Sequence, residues 1–231
     1  KNKKNYSIAP ELQNMGDTGD KSFLHRDVIQ QFSSKFKTII DSITTCEGIV
    51  FIFSDYLIQG VLTFAMALEE NGFDRIEYKN KVIRKNNLLS NSKGNENGFC
   101  AVNNKYESEL KGAEKEIFKK AQYILLEGST PKSELNQLVK EVRGDGSESN
   151  DNGEYIKVIL GSEVVKQGIS FKNVREVHIL EPHFNFSLIE QVIGRAIRNE
   201  SHIALPFMKR NVGIYLYAAT DKNNETVDLF K

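Results

Sequence analysis

Short runs that are apolar at nearly every position limit what this chain can fold into. Ile49-Val-Phe-Ile-Phe53, Tyr123-Ile-Leu-Leu126 and Tyr155-Ile-Lys-Val-Ile-Leu160 are each the length of a strand, and the more mixed stretches Val174 to Leu180 and Asn211-Val-Gly-Ile-Tyr-Leu-Tyr-Ala218 read as two more. A run without alternation fits a strand covered on both faces, which is the situation inside a parallel sheet. Phe73 to Tyr78 supplies one more candidate, and Phe99 to Val102 a minor one. Helix-period segments lie between them, so the chain predicts an α/β fold, a mostly parallel sheet with helices on both faces.

The helical segments are read from their apolar spacing. From Asp27 to Ile43 the stripe is Val28, Phe32, Phe36, Ile39, Ile40 and Ile43; from about Tyr56 to Glu70 it is Leu57, Val61, Phe64, Ala65 and Leu68. Ser54 or Asp55 is placed to cap the second of these, and Asn71-Gly72 to end it. A charged helix is expected from about Glu107 to Ala121, and another from Ser133 to Val142, with Pro131 near its first turn. Residues 79–98 begin with Lys79, Lys81, Arg84 and Lys85 and become rich in Asn, Ser and Gly, the composition of a loop or insertion. The acidic stretch 144–153 reads as a connection.

Composition sets the limits. At 231 residues with 39% apolar content the chain can hold one full core. No apolar run approaches the roughly 20 residues of a membrane span, so no membrane partner is expected. Residues 1–22 read as a flexible lead-in, led by Lys1, Lys3 and Lys4; residues 23–222 read as the domain, and 223–231 as a polar tail. Cys46 and Cys100 are too few for a disulfide framework, which points to a reducing compartment. Neither they nor the four histidines have metal-ligand spacing, so no metal site is assigned. The formal charge is zero, and any nucleic-acid binding has to use local patches.

The segment Ser187-Leu-Ile-Glu-Gln-Val-Ile-Gly-Arg-Ala-Ile-Arg198 carries the chemistry. At 100° per residue, Gln191, Gly194, Arg195 and Arg198 share one face, while Ile189, Val192, Ile193, Ala196 and Ile197 spread over the other. Ser187 and Glu190 have capping-box spacing. Two guanidinium forks beside a bare backbone suit the bidentate grip on phosphate oxygens. A solvated face that happens to hold two arginines fits the same pattern, and physics alone leaves the two readings level.

Gln191-Val-Ile-Gly-Arg-Ala-Ile-Arg198 resembles the Q-x-x-G-R-x-x-R motif, motif VI, of superfamily 2 helicases and related nucleic-acid-dependent ATPases. Val158-Ile-Leu-Gly-Ser-Glu-Val-Val-Lys-Gln-Gly-Ile-Ser-Phe171 resembles their motif V and Gly48-Ile-Val-Phe-Ile-Phe-Ser54 their motif IV, in the same order. The flavour is that of helicase-like ATPases of large nucleocytoplasmic DNA viruses, such as the poxvirus early transcription factor small subunit and nucleoside triphosphate phosphohydrolase types. Leu68-Glu-Glu-Asn-Gly-Phe73, Ser201-His-x-x-Leu-Pro206 and Arg210-Asn-Val-x-Ile-Tyr215 are similar to their pattern too. The resemblance covers roughly residues 30 to 220.

The resemblance implies the C-terminal, second RecA-like lobe of such a core. It implies Arg195 and Arg198 as arginine fingers with Gln191 beside them, and Gly168, Gly194 and Ser170 close to the nucleotide. Ser54, Asp55, Gly128 and Ser162 are implied along the nucleic-acid track. Ser170 departs from the aspartate common in motif V, which argues against the DEAD-box type. His183 is read as ending a strand and His202 as bracing the loop that carries Arg198. No G-x-x-x-x-G-K-[ST] loop and no D-E-x-H or D-E-A-D tetrad is present, so the chain reads as a fragment, inactive alone. ATP and Mg2+ are expected to be held mainly by an N-terminal lobe of the same protein. DNA or RNA, and viral transcription proteins, are the expected partners. The expected location is the host cytoplasm (viral factory) or the virion if the protein is viral, and intracellular otherwise. A non-catalytic RecA-like module in a viral transcription complex remains the alternative; a dinucleotide-binding domain is disfavoured because no G-x-G-x-x-G follows a strand.

Overall fold

The apolar runs become strands of one sheet. In chain order these are β1 Ile49–Phe53, β2 Asp74–Lys79, β3 Val82–Lys85, β4 Gln122–Leu126, β5 Ile156–Gly161, β6 Val174–Ile179 and β7 Gly213–Leu216. The computed structural model describes residues 6–144, 149–162, 168–183 and 185–219, and of Asn95 the backbone alone. The strand order is β3-β2-β4-β5-β1-β6-β7. Every pairing is parallel except β2 with β3. Lys1, Lys3, Lys4 and the expected tail at 223–231 lie outside the described residues, as do parts of the 144–153 connection and of the motif V stretch.

The helices are α1 Ser34–Thr45, α2 Thr63–Glu70, α3 Lys132–Val142 and α4 Phe186–Ala196. The alternating pleat of β1 divides the core: Val50 and Ile52 join Ile39, Ile43, Phe64 and Leu68 from α1 and α2. Ile49, Phe51 and Phe53 join Leu135, Leu138, Ile189 and Val192 from α3 and α4 on the other face. All five β1 residues are buried, which explains why that run shows no alternation. Each phenylalanine taken fully out of water there contributes on the order of 1.5–3 kcal/mol. The α/β layering expected from the alternation of runs and helices is therefore the one present.

Several elements depart from the spacing-based expectation. The helix expected from Asp27 is a 3-10 turn at Ile29–Gln31 and then α1, because the Ser33 hydroxyl accepts the Phe36 N–H at 3.1 Å and starts a new helix. The segment expected to begin helically at Tyr56 opens as a π-helical turn, Leu57–Leu62, before α2. No charged helix forms over 107–121. Two short 3-10 turns, Glu107–Glu109 and Gly112–Lys115, stand there instead, with Leu110 buried between them and Gly112 in the left-handed region at φ 54°. A lone buried leucine gives no stripe on which a long helix could pack. Phe99 and Cys100 form isolated bridges, to Tyr106 and Lys120 respectively, rather than a strand. Within the polar stretch after β2, Asn80 and Lys81 both have positive φ, 53° and 64°, the geometry of a two-residue hairpin turn into β3.

The Leu68–Phe73 stretch has an unusual role for a helix end. Glu69, Glu70 and Asn71 are all buried. Glu69 accepts the N–H groups of Leu88 and Leu89, both at 2.7 Å, and the Tyr123 hydroxyl at 2.6 Å. Glu70 accepts the Lys93 N–H at 3.1 Å. Asn71 accepts the Arg26 N–H at 2.8 Å and donates to the Leu24 carbonyl at 2.9 Å. These side chains tie irregular segments on both sides of α2 to the sheet, doing what a regular ladder would otherwise do.

Candidate nucleotide and nucleic-acid site

The residues singled out by sequence fall into two separate groups, one at the carboxyl edge of the sheet and one at the end of α4. Ser54, Asp55, Gly128 and Ser162 all follow strands, and the register pairs Phe53 and Leu126 with Gly161, so these strands end level. Ser54 is fully buried: its hydroxyl accepts the Tyr56 N–H and donates to the Tyr56 carbonyl, each at 3.1 Å. It therefore closes a turn of its own backbone. Gly60 packs against this hydroxyl so tightly that a Cβ there would lie 2.0 Å from it. Ser162 is also buried, donating its hydroxyl to the Leu126 carbonyl at 3.4 Å. Gly128 is exposed.

Asp55 sits where the chain divides between the faces of the sheet. Helix α2 follows β1 onto one face and α4 follows the adjacent β6 onto the other, the kind of switch point at which open α/β sheets gather ligands. Here the Asp55 N–H donates to a Glu181 carboxylate oxygen at 2.5 Å, and the Asp55 carboxylate lies 3.3 Å from His183 Nε2. Burial pushes the Glu181 carboxyl above the usual carboxylate range, against the pull of the Asp55 N–H and Ser54. His183, expected only to end the strand, thus also pairs across the crevice.

The second group lies where α4 stops. Asn185, not Ser187, caps the helix: its side-chain oxygen accepts the Ser187 N–H at 3.0 Å, so the expected Ser187–Glu190 box gives way to a cap two residues earlier. Ile189, Val192 and Ala196 are buried, whereas Gln191 is exposed and Gly194 and Arg195 are half-buried. Helix α4 ends at Ala196, and Ile197 takes extended backbone with 42% of its surface exposed. Arg198 is therefore not on the helix face that the 100° spacing assigned to it, nor is Ile197 on the buried one. It is brought round by the following turn, in which its N–H donates to the Ser201 hydroxyl at 3.2 Å. His202 braces that turn, with Nδ1 2.8 Å from the Ser201 hydroxyl and Nε2 2.7 Å from the Val174 carbonyl.

The turn from Gly168 to Phe171 runs alongside. The Phe171 N–H donates to the Arg195 carbonyl at 2.8 Å, and Arg198 Nη1 donates to the Ser170 hydroxyl. Gly168 is exposed at φ 90°, and neither there nor at Gly194 would a Cβ meet any atom within 4 Å. The bare backbone, the two guanidinium groups and the hydroxyl give a donor set suited to phosphate oxygens. A cleft of about 400 Å³ opens between this turn and α3, lined in part by Lys132, Asn136, Lys140, Arg143, Gly168 and Ser170. Residues 163–167 of the motif V stretch lie outside the described residues.

Arg143 is the contributor that sequence reasoning passed over. It caps α3, and its fork donates to the Ser170 carbonyl from Nε at 3.1 Å and from Nη2 at 2.5 Å. A cation at a helix end reads in sequence as complementing the helix dipole, which hides a contact made 27 residues on. Elsewhere nucleophilic chemistry has little support: both cysteines are buried, and burial pushes the Cys46 thiol up to about 12. Among the described residues no group of three or more His, Cys, Asp or Glu side chains could hold a metal ion. None of the described helices is long and apolar enough to cross a membrane.

Residues 78–200 match the helicase conserved C-terminal domain. The chain is 33% identical over 192 residues to the protein named "Putative ATP-dependent RNA helicase R563" of Acanthamoeba polyphaga mimivirus, covering 83% of this chain and 26% of that one. It is 34% identical over 101 residues to an early transcription factor large subunit homolog of African swine fever virus, covering 43% of this chain and 9% of that one. The C-terminal part of the Fun30 ATPase domain overlays with a TM-score of 0.48 at 17% identity, over 82% of this chain and 42% of that one. The chain thus spans about a quarter of the mimivirus relative.

Proposed function

Because the chain belongs to the helicase conserved C-terminal domain family, we propose that it is the second lobe of an ATP-dependent superfamily 2 helicase or nucleic-acid translocase and that it supplies arginine fingers. The domain occupies 23–222 on this reading. The observation that carries it is the join between the end of α4 and the Gly168–Phe171 turn, which gathers Arg195, Arg198, Ser170 and Gly168 at one place. ATP with Mg2+ supplies the phosphoryl group, held mainly by a first lobe. Arg195 and Arg198 are the residues of this chain that approach it, and their charge stabilises what develops on the transferred group. Gln191, one helical turn before Arg195, orients the approach, and Gly194 leaves room for it. The carboxyl edge with Ser54, Asp55, Gly128 and Ser162 lies along the nucleic-acid track, where Ser54 and Ser162 act by shaping backbone rather than by offering hydroxyls.

The test is ATP turnover by the longer protein, with and without DNA or RNA. Arg195→Ala and Arg198→Ala should each lower kcat by on the order of 10³-fold, the scale of an arginine finger. The melting temperature of Arg198→Ala should stay close to the parent's, since that side chain is exposed, and that of Arg195→Ala should fall far less than its turnover. Loss of folded protein in proportion to loss of turnover would sink the reading, as would full turnover by the 231-residue segment alone. A second reading, a non-catalytic lobe within a viral transcription complex, draws on the African swine fever virus relative. Arginine variants without effect on turnover but with lost binding to transcription proteins would favour it. For a viral protein, both readings are in keeping with a location in the viral factory or the virion.

A further inference from the structure

We infer that Arg143 is a positioning residue for the arginine pair, holding the motif V turn so that the turn in turn holds Arg198. The inference rests on the arginine-finger reading and extends it to a residue outside the motifs.

Ser170 is gripped from two sides. Its carbonyl accepts both arms of the Arg143 fork, and its hydroxyl accepts Arg198 Nη1. One residue further on, the Phe171 N–H holds the Arg195 carbonyl, and the Asn173 N–H donates to the Ser201 carbonyl at 2.9 Å. The segment 170–173 is thus hydrogen-bonded both to the end of α3, through the Ser170 carbonyl, and to the α4 region, through the Ser170 hydroxyl and the Phe171 and Asn173 N–H groups. Helix α3 is itself well fixed, with Leu135, Leu138, Val139 and Val142 buried against the sheet. Arg143 therefore refers the position of a turn to a rigid element. That matters because a guanidinium held by a serine hydroxyl is only as well placed as the serine.

The contact is poorly suited to a purely structural purpose. It stands at the rim of the open cleft beside exposed Gly168, where water could satisfy the Ser170 carbonyl in its place. A planar fork, however, fixes both the distance and the angle of the carbonyl it grips, which a water does not. An ammonium would restore the charge and one hydrogen bond without fixing the angle. Arg143→Lys should accordingly fall between the parent and Arg143→Gln.

The experiment is a double-mutant cycle in the longer protein, read as steady-state ATP turnover with nucleic acid present and as thermal melting. Arg143→Gln should lower kcat about tenfold, a fraction of the roughly 100-fold that a misplacement of about 1 Å can cost, with KM for ATP nearly unchanged. Arg143→Lys should recover part of that loss. In an Arg198→Ala background Arg143→Gln should cost little more, because the residue it positions is gone. Losses that multiply in the double variant would overturn the inference. So would melting temperatures that fall equally for Arg143→Gln and Arg143→Lys, with kcat tracking the folded fraction. Arg198→Ala with parental turnover removes the arginine-finger reading and this inference with it. A slow Arg198→Ala beside a fully active Arg143→Gln removes this inference alone.

Discussion

At the carboxyl edge Ser54 and Ser162 are buried against backbone groups, whereas at the end of α4 exposed Arg198 and half-buried Arg195 lie beside two glycines with open space around them. Ser54 is fully buried and closes its own turn, and the Asp55 N–H is held by Glu181. Arg198 is exposed and its guanidinium donates to the Ser170 hydroxyl, and a Cβ at Gly168 or Gly194 would meet no atom within 4 Å. Both regions lie at the ends of well-packed elements, so the difference does not come from the scaffold. On the proposed reading it follows from what each region would do: one sets the shape of the backbone, and the other presents guanidinium groups toward a nucleotide held by a first lobe. Burial of a polar group with its partners stabilises shape, and exposure of a charge preserves its use.

Glycine substitutions test that contrast most directly. Gly60→Ala would drive a Cβ to 2.0 Å from the Ser54 hydroxyl and 2.7 Å from its Cβ, so it should destabilise the domain by about 1–3 kcal/mol, read as a lower urea midpoint. An unchanged midpoint would mean that the edge is looser than its contacts imply. Gly194→Ala meets nothing within 4 Å and should instead stabilise α4 by up to about 1 kcal/mol, while kcat/KM for ATP in the longer protein falls. A stabilised protein with unimpaired turnover would show that the bare position serves no approach. The smallest effect concerns pH. Glu181 titrates above its ordinary 4.5 when folded, so its contribution is complete below 4.5 and is lost as pH rises through the raised value. Glu181→Gln keeps an acceptor for the Asp55 N–H, and its melting temperature should lose less than the parent's between pH 4.5 and neutrality. Parallel curves would place the burial cost elsewhere.

The central strands were legible because their apolar runs are buried on both faces, and a period cannot be missed where none is needed. β1 and β5 show this, with every residue buried. The edge strand β7, expected from a more mixed run, is by contrast largely exposed. The positions of Ser54, Asp55, Gly128 and Ser162, which the resemblance implied, do fall after strand ends. The arginine end was read correctly only as far as the helix lasts: Arg195 lies on α4, but Arg198 is placed by a turn that depends on Ser201 and His202. Helical spacing carries no information past a C-cap. Asn185 and Ser187 both offer cap chemistry, and it is the Asn185 side chain that accepts the Ser187 N–H and starts the helix. Over 107–121 good helix formers lacked a surface to pack on, and tertiary context overrode propensity. Arg143 was invisible because its partner is 27 residues distant and is a carbonyl, which every residue possesses.

The knot at Glu69, Glu70 and Asn71 has a consequence in time. Its hydrogen bonds span 45 residues to Arg26, 19 and 20 to Leu88 and Leu89, and 23 to Lys93. Each such loop has to close before the buried carboxylates find their donors, at an entropic cost that grows with its length. Until then two carboxylates wait at the end of α2 with water as their partner, and they cannot be buried cheaply. Docking of α2 on the sheet by its apolar stripe requires none of these closures, whereas the segments around residues 24–26 and 88–93 are fixed only when their loops close. A chain interrupted at that stage would own its sheet while still lacking its covering.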